Sequence, residues 1–123
     1  LHNEKVCNYL LASNQFNDWV ITTAFYSALH FVQHEMFPLT EGGKMYTDFN
    51  VYYGKVLKRR HRKLNKHSAT IKLVNLHLST CSSNYRWLHD ACMNARYSNY
   101  QVSPAKALYA KQNLLDLKKQ LKK

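Results

Sequence analysis

The stretch RRHRKLNKH, Arg59 to His67, puts five cationic side chains (Arg59, Arg60, Arg62, Lys63 and Lys66) and two histidines within nine residues. An imidazole ordinarily titrates near neutrality and can carry protons, while a guanidinium stays charged and suits phosphate. Such a segment has the parts of a site that cuts RNA. It also has the composition of a solvated helix face that attracts phosphate, and the residues alone leave both readings open.

The surrounding charge favours a polyanionic partner. From Phe49 to His89 there is no acid, while nine cationic residues occur, seven of them between Lys55 and Lys66. Over the whole chain 18 Lys and Arg stand against seven Asp and Glu, a formal charge of +11. That density concentrates anions and gains from counterion release on phosphate binding. Tyr52, Tyr53, Tyr97 and Tyr100 flank basic residues and could stack on unpaired bases, although tyrosines at helix ends more often bury a ring and leave the hydroxyl wet.

Other chemistries find less support. His30 and His34 have the four-residue spacing of two metal ligands on one helix face, but HFVQH lacks the glutamate of the zinc-protease pattern and an obvious third ligand. No metal and no cofactor is expected; His30 reads instead as a partly buried, hydrogen-bonded residue facing a cleft with Tyr26. His77 and His89, with no carboxylate cluster around them, receive no role. EGGKM holds the only glycine pair and no GK[ST] follows it, which excludes P-loop ATP hydrolysis. Seven scattered acids make paired-carboxylate catalysis hard to build.

The elements that must position these residues are helices. Three glycines and two prolines punctuate 123 residues, and the apolar positions recur at three and four, not two. A first helix is expected from about Asn3 to Ala12, with Val6 and Leu10 on one face. A central core helix follows, capped by Asn17 or Asp18, striped by Ile21, Phe25, Ala28 and Val32, and ended by Pro38. PLTEGGKMYTDFN has loop composition. Helix should resume near Val51 and carry the basic run. From Ile71, the residues Val74, Leu78, Cys81, Tyr85, Leu88, Cys92 and Ala95 form a seam along a fourth long helix, with irregularity expected between Ser79 and Ser83. The last helix starts at Ser103-Pro104 and buries Ala107, Ala110, Leu114, Leu117 and Leu121. One all-α domain, an up-and-down bundle of four or five helices, accounts for the pattern.

No apolar run approaches the ~20 residues of a membrane span, and the N-terminal LHNEKVCNYLL lacks the basic region and long apolar stretch of a secretory signal. Cys7, Cys81 and Cys92 are odd in number and widely spaced, which predicts buried reduced thiols in a cytoplasmic protein.

Two stretches carry a family resemblance. DWVITTAFYSALHFVQ resembles the second helix of HEPN domains, and ARYSNYQVSPAKA, Ala95 to Ala107, is similar to the arginine-tyrosine turn and final-helix start of stand-alone prokaryotic-type HEPN proteins. RRHRKLNKH lies where those proteins often carry a basic, histidine-rich helix start. The resemblance implies an all-helical bundle that is commonly a homodimer and, in catalytic members, a metal-independent endoribonuclease of toxin or defence type. It equally admits a non-catalytic module that binds nucleotide or RNA, or that partners a nucleotidyltransferase or an antitoxin.

The family's motif is an arginine, four to six residues, then a histidine. Arg62 with His67 fits at four intervening residues and Arg60 with His67 at six. On one regular helix Arg60 and His67 share nearly one face, whereas Arg62 and His67 diverge by roughly 140 degrees, so Arg62 serves only if a helix begins within the motif. Arg96 matches the arginine that many catalytic members carry late in the chain, but no histidine follows it; Tyr100 stands nearby, and a phenol is a poor base at neutral pH. Arg96, Tyr97 and Tyr100 are thus expected to bind RNA, with catalysis depending on His67 and Arg62 or Arg60.

Overall fold

Ile21, Phe25, Ala28 and Val32 recur at the spacing that lines one side of a helix, and all four are fully buried along helix α2 (Asn17–Met36). The protein is described by a computed structural model covering residues 2–13, 16–57, 59, 64–97 and 102–121, the side chains of Arg96 and Tyr97 excepted. The described residues form an all-α bundle of six helices with one small hairpin. Helix α2 is its centre, packed against α1 (His2–Ser13), α5 (Ser82–Tyr97) and α6 (Pro104–Leu121).

The start of α2 differs from expectation. Phe16 occupies the cap position without a side-chain hydrogen bond. Asn17 is already helical and its Nδ2 donates to the Val102 carbonyl at 3.4 Å, so tertiary pairing replaces local capping. Asp18 sits in the first turn, where a negative charge meets the positive end of the helix dipole. On α1 the fully covered position is Cys7, with Val6 and Leu10 half-buried.

Helix α2 stops at Met36, and Phe37 is extended, the conformation that a following proline favours. The segment read as loop then forms a hairpin, β1 (Leu39–Glu41) paired antiparallel with β2 (Lys44–Tyr46), Leu39 opposite Tyr46. The backbone φ is 59° at Gly42 and 79° at Gly43. This is the left-handed pair that a two-residue hairpin turn needs and that glycine adopts without steric cost.

Asp48 caps α3 (Phe49–Tyr52), accepting the Val51 amide at 2.9 Å, so helix resumes two residues before Val51 and widens into a π turn over Tyr53–Leu57. Helix α4 (Lys66–His77) is a separate element: Leu64 and Asn65 are not helical, and Asn65 caps α4 by accepting the Ser68 amide at 2.8 Å. The expected fourth long helix is therefore two, because the chain leaves α4 at Leu78 and makes a 3-10 turn over Ser79–Cys81 before α5 begins. The break falls within STCSS, where helix propensity is weak. The seam survives it, with Val74, Cys81, Tyr85, Leu88 and Cys92 fully buried.

Ser103 caps α6 through the Lys106 amide at 3.1 Å, and Pro104 opens the helix as expected. Ala107, Ala110, Leu114 and Leu117 are fully buried, Leu121 partly. Cys7, Cys81 and Cys92 are free and buried, and burial pushes the Cys7 and Cys81 thiols above their usual range. Among the described residues no helix is long and apolar enough to cross a membrane.

Candidate histidine pair and nucleic-acid interface

His67 is the second residue of α4, and the sequence fixes where that helix starts. The Asn65 cap satisfies a first-turn amide, and the Tyr53 hydroxyl donates to the Leu64 carbonyl, tying the entry to the π turn. So held, the half-buried His67 ring lies 5.6 Å from the Phe25 ring centroid, 6.4 Å from Tyr26 and 5.8 Å from His89.

Phe25 is the hub of this cluster. Its fully buried ring meets Tyr26 at 5.2 Å, His89 at 5.6 Å and Tyr85 at 5.7 Å as well as His67. Edge and tilted contacts of this kind set the angle of each neighbouring ring. The floor below is apolar, with Tyr85 fully buried, its phenol pushed far above the ordinary range by burial, and its hydroxyl without a hydrogen-bond partner among the described residues.

His89 stands on α5 with its Nδ1 2.9 Å from Asp90 Oδ1. The same carboxylate accepts from Arg86 Nε at 3.2 Å to both oxygens. An ionised carboxylate only accepts, so in a neutral His89 the proton sits on Nδ1 and the Nε2 lone pair is left to act. The His89 side chain is 17% exposed and that of Asp90 53%. A contact this open to water orients the ring more than it stabilises the fold. Two imidazoles, one with a fixed tautomer, are thus brought together on an aromatic base.

Sequence reasoning singled out His67 and gave His89 no role, for want of a carboxylate cluster. A single carboxylate, that of its immediate neighbour Asp90, serves it. Successive helix residues point about 100 degrees apart, which conceals such a contact, but a short aspartate can still reach Nδ1. Helix α4 begins at Lys66, inside the motif, so Arg60 and His67 do not share one regular helix. That is the condition under which Arg62 was expected to serve.

Arg60, Arg62, Lys63 and Tyr100, together with the side chains of Arg96 and Tyr97, lie outside the described residues. The backbone of Arg96 is in α5, seven residues beyond His89 and two turns along nearly the same face. His30 is exposed, not partly buried, and with the exposed His34 lines a separate pocket; it is His67 that meets Tyr26. Among the described residues no group of three or more His, Cys, Asp or Glu side chains is placed to hold a metal ion.

The described part of the basic segment faces water. Lys55, Arg59 and Lys66 are exposed, and the Lys66 ammonium lies 6.0 Å from the Tyr53 ring centroid. Lys55 and Arg59 join Lys44, Met45, Tyr46 and Val51 around a groove of about 430 Å³. Three cations and an aromatic ring, with no acid among the described lining residues, suit a phosphate chain whose bases can stack. The chain matches no protein-family model, no curated protein and no solved structure.

Proposed function

We propose that this protein acts on single-stranded RNA, holding phosphates on its basic segment and cleaving the chain with the His67–His89 pair. The observation that carries the reading is the contact between the His67 ring and His89, whose tautomer Asp90 fixes. One imidazole takes the proton of a ribose 2′-hydroxyl, the 2′-oxygen attacks the adjacent phosphorus, and the bond from phosphorus to the 5′-oxygen breaks. The other imidazole gives its proton to that leaving oxygen, so a 2′,3′-cyclic phosphate and a 5′-hydroxyl result and no metal is needed. Arg62, Arg60 and Arg96 are the guanidinium candidates for the charge that builds on phosphorus.

This reading fits the resemblance to stand-alone HEPN proteins and, with it, a cytoplasmic homodimer of toxin or defence type, partnered by an antitoxin or nucleotidyltransferase. The test is cleavage of labelled single-stranded RNA in EDTA. The wild type should give cyclic-phosphate ends, and His67→Ala and His89→Ala should each lower the rate by about 10²–10⁴-fold. Cleavage at the wild-type rate by His89→Ala would remove the pair from the mechanism.

The groove of Lys44, Lys55 and Arg59 favours a second reading, a non-catalytic RNA-binding module. Under it the wild type binds RNA and leaves it intact, His67→Ala binds equally well, and Lys55→Glu with Arg59→Glu weakens binding.

A further inference from the structure

We infer that the pocket between the end of α2 and the turn from β2 into α3 is a nucleobase site that selects guanine. This rests on the RNA reading above and adds to it which base stands beside the reacting phosphate. The pocket holds about 500 Å³, and its lining includes His30, Gln33, His34, Phe37, Asp48 and Phe49. That volume lies within the usual range for small-ligand sites. Phe37 and Phe49 meet edge to face at 6.2 Å. They form an apolar corner against which a flat ring can lie.

The polar groups point to one base. Asp48 is the carboxylate of the lining, in a chain with only seven acids, and it stands at the edge of the acid-free stretch. Its Oδ1 accepts the Val51 amide, and a carboxylate offers about four acceptor positions, so acceptors remain for a ligand. Gln33 supplies an amide donor. Guanine presents two adjacent donors, N1–H and the 2-amino group, beside the O6 acceptor. A carboxylate takes both donors while an amide N–H serves O6. Adenine would set its N1 lone pair against the carboxylate, and uracil and cytosine each lack the paired donors. Single-stranded RNA is generally read in this way, by stacking plus hydrogen bonds to the Watson–Crick edge.

Helix α2 also fixes the pocket relative to the histidine pair. Tyr26, which meets His67, and Gln33 both lie on that helix. Their separation of seven residues amounts to about 10 Å of helical rise, on nearly the same face. The pocket thus lies about two helical turns along α2 from the residue that meets His67.

The test is calorimetric titration of the full chain with 5′-GMP and 5′-AMP, with the imidazole signals of His30 and His34 followed by NMR. The expected result is a preference for GMP of roughly ten- to hundredfold, with both histidine signals moving. Asp48→Asn keeps the helix cap, since asparagine caps as well as aspartate, and should abolish the preference. Gln33→Leu should weaken GMP alone. His67→Ala should keep the preference for GMP over AMP, so loss of cleavage and loss of base selection are read separately. Equal binding of the two nucleotides, binding of neither, or an unchanged preference in Asp48→Asn would overturn the assignment.

Discussion

The chemistry proposed for this chain depends on two rings and one carboxylate. If Asp90 acts only by orienting His89, Asp90→Asn should lower RNA cleavage by about tenfold, less than the 10²–10⁴ expected for an acid–base group itself. The rate should fall through kcat with KM unchanged, since a positioning residue touches no substrate. The Arg86→Ala variant, which leaves the His89–Asp90 contact in place, should cleave like the wild type. His67 was singled out because it ends a basic run at a family-like spacing. His89 was not, because its value lies in a contact across two helices and in a neighbour that helix geometry ordinarily turns away. Phe25 read as apolar stripe and Tyr26 as facing a cleft with His30; nothing in their spacing says that histidines from two other helices converge at this point of α2.

At the scale of elements, the site depends on where α4 begins. Asn65→Ala should cost about 1 kcal/mol, read as a lowered Tm, and should disturb His67 through the loss of the first-turn amide bond. Tyr53→Phe removes the hydroxyl that holds the Leu64 carbonyl and should cost about as much. Both variants should reduce cleavage more than RNA binding, because Lys55 and Arg59 lie outside the affected turn. Helices α1, α2 and α6 were legible from apolar period and punctuation, with Pro38 and Ser103-Pro104 marking their ends correctly. The β1–β2 hairpin was not, since three-residue strands give no periodic signal and a glycine pair reads as loop until its positive φ angles are seen. The division of one expected helix into α4 and α5 was half legible: STCSS marked the weak point, but only packing decides whether such a point bends or breaks.

Over the whole molecule, an ionic contact at Glu4 joins the first helix to the last. Lys118 Nζ on α6 lies 2.8 and 3.0 Å from the Glu4 carboxylate oxygens on α1, and Lys111 is 3.8 Å away. Burial pushes the Glu4 carboxyl up, but the Lys118 hydrogen bond and the charges of Lys118 and Lys111 outweigh it and hold the pKa below the usual value. The stabilisation is therefore present above the ordinary carboxylate range and lost as pH falls through the lowered pKa. Thermal melts at neutral and acid pH should show that loss, and Glu4→Gln should be roughly 1–3 kcal/mol less stable at neutral pH with a smaller further loss in acid. The all-α class was legible at this scale from period and composition, and the charge of +11 was plain. How the helices rotate about α2 was not, and that rotation brings His67 to His89. The most direct test of their role is single-turnover cleavage of single-stranded RNA in EDTA by the wild type, both single alanine variants and the double variant. Two groups acting in one proton-transfer step predict cyclic-phosphate products from the wild type and a double variant little slower than either single one. RNA bound but left whole by the wild type, or cleavage unchanged by His89→Ala, would contradict the account.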